Sequence, residues 1–315
     1  MNYIAPRRIR RGSKVAVVAP SSSIDPDKLS DGLNIIREVG LVPVLGPCVK
    51  NLKSDGLHSA PLKDRLDELH WAFENPEFSA VICAKGGVGS AGLLPYLDYK
   101  LIKKSMKPFL GRSDITALNL GLLKHAGLMT INGQSASINL EKGNQFRVGQ
   151  EDSFQLTLEL MMTNQPWYDR PMQKNEYVPR TVNPGKAIGH VVGCNLDTMT
   201  RLIGTPHLPN MTGAILFIED IHKSVEGVSR EFLHLKLSGV LDSIAGVVIG
   251  EFQDLSTNTD NIENVIQEYF CVPGGPPCTY GYSFSHGSYV SPIPIGATCT
   301  LDATNCEINF DFSMF

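Results

Sequence analysis

The sequence predicts an α/β fold in which an amino-terminal domain, built on a doubly wound parallel sheet, precedes a smaller carboxy-terminal α/β domain. Two short, continuous apolar segments, Lys14–Pro20 and Ala80–Ala84, are typical of strands that are covered on both faces. Amphipathic helical segments alternate with such strands, which is the pattern of a parallel sheet. A length of 315 residues accommodates two domains of modest size.

The amino-terminal domain is predicted over residues 1–165. Its first helix is expected over 27–39, because Leu29, Leu33 and Ile36 keep helical spacing and Gly40 ends the pattern. The remaining elements follow the same alternation. They are a strand at 41–45, a helix at 62–73, the strand at 80–84 and a strand that ends at Leu110.

Residues 166–184 are polar and contain several prolines, so we interpret them as the linker between the domains. The carboxy-terminal domain, 185–315, again alternates apolar and amphipathic segments. Its predicted strands lie at 186–192, 214–218 and 244–249, with further strand-like pieces around 280, 293 and 299–301. Its predicted helices lie at 196–203, 225–237 and 261–270.

Composition and charge argue against several classes of protein. The chain is 42% hydrophobic and 19% charged with a net charge of −4, which predicts a packed core and no nucleic-acid partner. The arginines at 7–11 are interpreted as a solvated tail. No stretch is long enough to span a membrane, and the apolar run after the arginines is too short for a secretory signal. Seven scattered cysteines lack zinc-ligand spacing, so we predict a reduced, cytoplasmic protein that uses no metal or other cofactor.

Ser113 stands at the corner between a predicted strand end, Phe109–Leu110, and a predicted helix that begins at Asp114. This arrangement is that of a nucleophile elbow, in which a sharp turn exposes the hydroxyl and directs the first amides of the helix at the same point. The second glycine of the usual G-x-S-x-G pattern is absent, since Ile115 occupies its place. A serine that opens a helix is also a common N-cap, so the local pattern leaves both interpretations open.

The glycine loop Lys85–Ser90, read KGGVGS, follows the strand at 80–84. Ligands of doubly wound sheets bind beyond the carboxyl ends of the strands, so this loop and Ser113 are predicted to face one crevice. A phosphate-binding loop needs a Lys-Ser/Thr pair where this chain has Ser90-Ala91, which argues against nucleotide hydrolysis. The alternative is that the glycines let a backbone amide approach a substrate carbonyl and form half of an oxyanion hole.

A serine hydroxyl needs a base, usually histidine, to become a good nucleophile. Of the eight histidines, His286 lies in a Ser/Gly-rich loop after a predicted strand, a reasonable place for a functional side chain. Glu219 ends the apolar strand AILFI and could orient and charge-balance an imidazole, as the acid of a triad does. Glu219 could equally cap a helix or form a salt bridge, and its position alone does not decide between these roles.

Co-linear blocks over nearly the whole chain resemble the LD-carboxypeptidase family of serine peptidases. The blocks are KVAVVAPSS, the GG-x-G loop followed by LLPYLDY, GRSDITAL, GHVVGCNLDTMTRLIGTPHLP, ILFIEDI, LKLSGVL, AGVVIGEF and the closing histidine loop with PIPIG. That family includes muramoyltetrapeptide carboxypeptidases and the self-immunity peptidases that inactivate microcin C. Several blocks in the right order are far more specific than any one motif.

The resemblance implies a Ser-His-Glu triad made of Ser113, His286 and Glu219. It implies that the oxyanion is held by the amide of Asp114 and by an amide of the glycine loop, which we assign to Gly87. An amino-terminal domain with the nucleophile, a carboxy-terminal domain with the acid and base, and a homodimer are further implications.

The chain departs from the family's usual pattern around this site. Lys85 and Val88 stand where the family often has Arg and Tyr, and Arg112 stands where it often has Tyr. Cys194 replaces a usual Gly, although Asn195 keeps the family's Asn-Leu pair. The microcin-cleaving branch tends to carry a Trp ahead of its NPGKA segment, and this chain has Arg-Thr there. These changes leave the catalytic residues intact and place the substrate in question.

The expected activity is that of a serine carboxypeptidase which cuts the L-D bond of a murein peptide and releases a carboxy-terminal D-amino acid. A cation should recognise the free carboxylate of such a small peptide substrate, and Lys85 and Arg112 are the candidates. Asn195 is a third predicted substrate contact. The alternatives are a microcin C-like peptide-nucleotide hydrolase and a non-catalytic peptide-binding module on the same fold.

Overall fold

The computed structural model describes residues 3–51, 54, 56–138, 147–163, 178–253, 255 and 260–312. Residues 164–177, which make up most of the predicted linker, lie outside the described residues. The described strands are β1 (Lys14–Val18), β2 (Val42–Leu45), β3 (Phe78–Cys83), β4 (Phe109–Leu110), β5 (Thr130–Asn132), β6 (Arg180–Asn183), β7 (Lys186–Asn195), β8 (Ile215–Ile221), β9 (Gly246–Gln253), β10 (Cys278–Tyr282), β11 (Ile293–Ile295), β12 (Thr298–Asp302) and β13 (Glu307–Asp311).

The described helices flank two sheets that these strands form. They are α1 (Pro26–Glu38), α2 (Pro47–Lys50), α3 (Leu62–Glu74), α4 (Tyr99–Ser105), α5 (Thr116–Ala126), α6 (Arg147–Leu160), α7 (Leu196–Thr200), α8 (Val225–Leu237), α9 (Val240–Ser243) and α10 (Asp260–Phe270). Helix α1 begins where the Asp25 carboxylate accepts a hydrogen bond from Asp27 N, and it buries the residues whose spacing predicted it.

The first sheet has the strand order β11-β5-β4-β3-β1-β2. Its strands from β2 to β5 pair in parallel, and β11 pairs antiparallel with β5. The central strands β1 and β3 are buried on both faces from Val15 to Val18 and from Ala80 to Cys83. This double coverage is the reason that their sequences are continuous apolar runs.

The second sheet has the order β13-β12-β7-β8-β9-β10-β6. Strands β7 to β10 run parallel, while β12, β13 and β6 pair antiparallel at the two edges. Helix α5 contacts β5 and β11 of the first sheet and β7 and α7 of the second domain. Nearly all of α5 is therefore buried, although it directly follows the predicted elbow.

One chain crossing joins the two sheets next to the predicted histidine. The segment 283–292 leaves β10 of the second sheet and enters β11, which completes the first sheet through the pair Ile293–Asn132. The sequence pattern indicated a strand near 293 without showing which sheet it joins. Because the crossing ends in the first sheet, His286 lies between the two domains in a segment that is attached to both.

The predicted fold class, an α/β protein with an amino-terminal parallel sheet and a second α/β domain, is confirmed. Strand β13, which pairs with β12, lengthens the second sheet beyond the predicted strands. Helix α7 is shorter than predicted and ends at Thr200. Within the described ranges, no helix combines the length and the apolar character that crossing a membrane requires.

Candidate active site

Ser113 occupies the tight turn that the elbow interpretation requires. Its backbone φ is +63°, in the left-handed region that a residue with a side chain rarely adopts. A short 3-10 turn at Ser113–Ile115 follows β4 and leads directly into α5. Such a backbone conformation costs on the order of 1–3 kcal/mol and is found where the surrounding structure enforces it, often at active sites.

Gly86 of the glycine loop lies directly against this turn. A Cβ at Gly86 would lie 2.8 Å from Ser113 Cβ and 2.9 Å from the carbonyl oxygen of Arg112, closer than real Cβ contacts allow. Glycine is therefore required at position 86, because no other residue leaves room for the serine. The glycine loop and the elbow, which the sheet-edge rule predicts at one crevice, are thus in direct contact.

The side chain of Asp114 holds the glycine loop in place. Its Oδ2 accepts hydrogen bonds from Ser21 Oγ at 2.6 Å and from Ser90 N at 2.8 Å. In return, Ser90 Oγ donates to the Asp114 carbonyl oxygen at 2.6 Å. The elbow, the end of the glycine loop and the turn after β1 are thus joined by charge-assisted hydrogen bonds, which are stronger than neutral ones.

Two further side chains support the same loop. Ser22 Oγ accepts a hydrogen bond from Val88 N at 3.0 Å, and a Cβ at Gly87, where φ is +119°, would lie only 2.2 Å from that oxygen. The buried Arg65 donates from Nη1 to the carbonyls of Pro20 at 2.8 Å and Gly89 at 3.1 Å. The conformation of Gly87 is therefore set by contacts on both sides of the loop.

Glu219 and His286, which are 67 residues apart in the sequence, are in direct contact. His286 Nδ1 lies 2.8 Å from Glu219 Oε2, and only 3% of the Glu219 side chain is exposed. Glu219 lies near the carboxyl end of β8, where a parallel sheet presents side chains to a crevice. This pairing is that of an imidazole oriented by a carboxylate, and it favours the triad interpretation of Glu219 over the helix-cap interpretation.

Asn195 connects this acid to the elbow helix. Its Nδ2 lies 3.0 Å from Asp220 Oδ1 and 3.4 Å from Glu219 Oε1, while its backbone N–H donates to Thr116 Oγ1 of α5 at 3.2 Å. Burial, together with the nearby charge of Glu219, raises the pKa of Asp220 to about 6. Asp220 also accepts hydrogen bonds from two backbone amides, so the carboxyl group is held in one orientation.

The two predicted cations differ in their surroundings. Arg112 Nη1 donates to the Ser285 carbonyl at 3.1 Å, and burial lowers the pKa of Arg112 to about 10 against the raising effect of the Glu219 charge. Lys85 is exposed at the start of the glycine loop, and its Nζ lies 3.5 Å from the Ser23 carbonyl. Arg112 is therefore engaged within the protein, whereas Lys85 faces solvent.

Sequence reasoning missed the support of the glycine loop. The sequence pattern indicated no role for the turn Ser21–Ser23 or for the side chain of Asp114. A signal was available, because Ser21 and Ser22 follow β1 at the same sheet edge as the glycine loop and Ser113. Over the part of the chain that the structure describes, no three His, Cys, Asp or Glu residues are grouped so as to hold a metal ion.

The chain matches the sequence models of a known family over most of its length. Residues 15–133 match the profile of the LD-carboxypeptidase N-terminal domain, and residues 188–301 match that of the LD-carboxypeptidase C-terminal domain. The chain belongs to the LD-carboxypeptidase family. The resemblance seen in the sequence is confirmed, and the protein is a serine carboxypeptidase.

Individual relatives cover both branches that the sequence suggested. The probable murein peptide carboxypeptidase of Bacillus subtilis (strain 168) is 32% identical over 96% of this chain and 92% of its own. The microcin C7 self-immunity protein MccF of Escherichia coli is 27% identical over 92% of this chain and 90% of its own. The crystal structure of an MccF-like protein from Bacillus anthracis str. Ames superposes with a TM-score of 0.81 at 25% identity, covering 98% of this chain and 99% of that one.

Proposed function

We propose that this carboxypeptidase hydrolyses an L-D amide bond in murein peptides and releases a carboxy-terminal D-amino acid. Ser113 is the nucleophile, His286 is its base, and Glu219 orients and charge-balances the imidazole. The observation that carries the assignment is the 2.8 Å contact between His286 Nδ1 and Glu219 Oε2. The loop of His286 also accepts a hydrogen bond from Arg112, the residue that precedes Ser113. The strained φ of Ser113 supports its role independently.

In the acylation step, Ser113 Oγ attacks the carbonyl carbon of the scissile amide while His286 Nε2 takes its proton. Nδ1 of the same ring donates to Glu219, which stabilises the imidazolium that forms. The imidazolium then gives the proton to the leaving nitrogen, the C–N bond breaks, and the D-amino acid departs. Water, deprotonated by His286, then attacks the acyl carbon. The ester bond to Ser113 Oγ breaks, His286 returns the proton to that oxygen, and the shortened peptide leaves with a new carboxylate.

The negative oxygen of each tetrahedral intermediate is held by the backbone amides of Asp114 and Gly87. Asp114 N belongs to the first turn of the helix after the elbow, where amides have no partner within the helix. Gly87 lies in the loop that packs on Ser113 and is held by Ser22. Each donor of an oxyanion hole contributes about 3–4 kcal/mol to transition-state stabilisation.

Substrate recognition is assigned to residues at the rim of this site. Lys85 binds the free carboxylate of the peptide, because it is an exposed cation on the loop that carries Gly87. Asn195 is buried beside Glu219 and Asp220, and a contact between its side chain and the peptide stays a prediction. A contact between Arg112 and the substrate stays a prediction, and a different role for this residue is argued below.

The murein substrate is supported by the name of the B. subtilis relative, which is a probable murein peptide carboxypeptidase. The E. coli relative is named a self-immunity protein for microcin C7, which makes a peptide-nucleotide amide the second candidate substrate. Lower identity to the second relative favours the murein peptide. We further propose that the protein acts in the cytoplasm and that it is a homodimer. Analytical ultracentrifugation of the purified chain tests the homodimer directly.

The decisive experiment compares Ser113→Ala with the wild type on a murein tetrapeptide that ends in D-alanine. We expect D-alanine release by the wild type and none by the variant, while His234→Ala, which changes an exposed histidine of α8, retains full activity. Activity of Ser113→Ala at the wild-type level would refute the nucleophile. Hydrolysis of an aminoacyl-sulfamoyl adenylate without release of D-alanine would favour the second substrate. Binding of either compound without turnover would favour a non-catalytic module.

A further inference from the structure

Arg112 joins the two halves of the proposed triad through their immediate neighbours. It directly precedes Ser113, and its Nη1 donates a 3.1 Å hydrogen bond to the carbonyl of Ser285, which directly precedes His286. The two residues are 173 positions apart in the sequence. This hydrogen bond therefore links the elbow of the first domain to the loop that carries the base.

The upstream arm of the histidine loop is otherwise anchored in the second sheet. Ser283 Oγ donates to Glu251 Oε1 at 2.7 Å, and Ser285 Oγ donates to the Glu251 carbonyl at 2.7 Å. Phe284 packs edge-on against Phe217 of β8 with ring centroids 5.5 Å apart. These contacts fix where the loop starts relative to the acid Glu219, because all of them are made to β8 and β9.

The downstream arm is anchored in the first domain. Val290 N donates to Ser153 Oγ of α6 at 2.8 Å, and Gln150 Nε2 approaches the Gly287 carbonyl at 3.4 Å. A Cβ at Gly149 would lie 2.3 Å from the carbonyl oxygen of Ser288, so helix and loop are in close contact. The loop is thus held at both ends, by different domains.

Among these anchors, Arg112 has the shortest covalent path to the nucleophile. One peptide bond separates it from Ser113, whose left-handed φ and contact with Gly86 restrict the turn. Its guanidinium is charged at neutral pH, since its pKa of about 10 remains well above 7. A charged donor to a backbone carbonyl makes a stronger hydrogen bond than a neutral donor. Any displacement of this contact moves Ser285 and therefore its neighbour His286.

We propose that Arg112 is a positioning residue that sets the location of the His286 imidazole relative to the Ser113 hydroxyl by holding the Ser285 carbonyl. This proposal rests on the triad assigned above. It differs from the sequence-based prediction that Arg112 binds the carboxylate of the substrate, because a positioning residue acts on the rate of the chemical step. A substrate-binding residue acts mainly on the Michaelis complex.

Steady-state kinetics of Arg112→Ala, Arg112→Gln and Arg112→Lys separate the two roles. Because a misplacement of about 1 Å can cost roughly 100-fold in rate, we expect kcat of Arg112→Ala to fall about 10- to 100-fold with KM within about threefold of the wild type. Arg112→Lys restores part of kcat, since it keeps the charge and loses the rigid fork. The matched control is Arg37→Ala, which changes an exposed arginine of α1 and leaves both constants unchanged. A rise in KM at unchanged kcat, or no effect on either constant, overturns the proposal.

Hydrogen–deuterium exchange provides a readout that does not depend on turnover. Arg112→Ala should exchange faster over 283–291 and unchanged over α8, with a melting temperature close to that of the wild type. Unchanged exchange over 283–291 in Arg112→Ala overturns the positioning role of Arg112, whatever the activity of the variant. If the wild type turns over neither substrate, the proposed function fails, and the exchange experiment still decides whether Arg112 holds the loop.

Discussion

The elbow half and the acid–base half of the site are built by different physical means. Ser113 is positioned by backbone conformation, by the absence of a side chain at Gly86 and by a carboxylate one residue away. His286 is positioned by side chains from distant parts of the chain, namely Glu219 and Arg112. The proposed nucleophile therefore depends on the close packing of its turn, and the proposed base depends on the docking of two domains.

This difference predicts how each half fails when it is altered. Close packing leaves no room for added atoms, so the elbow half is sensitive to small increases in volume. The acid–base half depends on an ion pair and on side-chain hydrogen bonds, so it is sensitive to the loss of a charge or of a hydrogen bond. Three substitutions test this contrast and follow in order of their expected effect on activity, and a fourth tests the pH dependence of stability.

Glu219→Gln should lower kcat by roughly 10⁴-fold with little change in KM, because the amide keeps the shape and loses the charge that stabilises the imidazolium. Steady-state kinetics on the tetrapeptide measure the effect. Glu226→Gln, on the exposed first turn of α8, is the matched control and should behave as the wild type. A loss of less than tenfold would remove Glu219 from the proposed triad.

Gly86→Ala should lower kcat by roughly 100-fold, because the new methyl group would displace Ser113 or Arg112 by a substantial fraction of an ångström. Gly92→Ala is the matched control, since the nearest atom to its added Cβ is 3.7 Å away. The same kinetic assay, with a thermal melt for each variant, separates misplacement from unfolding. Equal activities of the two variants would contradict the close packing of the elbow.

Asp114→Ala should lower the free energy of unfolding by about 2–4 kcal/mol, since hydrogen bonds to a charged group contribute about 1.5–3 kcal/mol each. It should also lower kcat by roughly tenfold, because the glycine loop loses its bonds to the elbow. Urea denaturation and kinetics measure both effects. Asp242→Ala, at an exposed position of α9, is the control and should change neither the stability nor kcat. Wild-type stability of Asp114→Ala would argue that the glycine loop is held by Arg65 and Ser22 alone.

The last prediction concerns the pH dependence of the free energy of unfolding. Burial raises the pKa of Glu68, which accepts hydrogen bonds from Ala19 N and Cys48 N, from 4.5 to about 7. Between pH 4.5 and 7, Glu68 therefore carries a proton in the folded protein and none in the unfolded chain. The stability that this proton contributes, about 3 kcal/mol, is lost as the pH rises through 7. Urea denaturation across this range should show a flatter pH dependence for Glu68→Gln than for the wild type. Exposed Glu74→Gln should keep the wild-type slope, and identical slopes for all three proteins would contradict the raised pKa.

Much of the elbow half could be predicted from the sequence because its determinants are local. The apolar strand end at Leu110, the serine and the helix after it are contiguous, and the sheet-edge rule brings the glycine loop to the same place. The role of the Asp114 side chain could not be predicted, because its partners Ser21 and Ser90 lie 93 and 24 residues away. The sheet-edge rule brings Ser21 to the same edge as the elbow, but nothing in the local pattern pairs either serine with Asp114.

The acid–base half required the tertiary structure. Glu219 could be read as a strand-end acid, and His286 was one of eight histidines; family resemblance, rather than any pattern of periodicity, paired them. The contact of Arg112 with Ser285 had no sequence signal, and its residue type alone suggested substrate binding instead. The entry of β11 into the first sheet could not be predicted either, because the sequence of a strand does not indicate which strand it pairs with.

By itself, the sequence determined the alternation of strands and helices and the fold class, because periodicity, glycines and strand ends act over a few residues. The pairing of Glu219 with His286 was implied by family resemblance alone, and only the tertiary structure decided which side chain holds the histidine loop. The physical reason is that those contacts join segments tens to hundreds of residues apart. Their approach is set by the packing of α5 against both domains and by the entry of β11 into the first sheet.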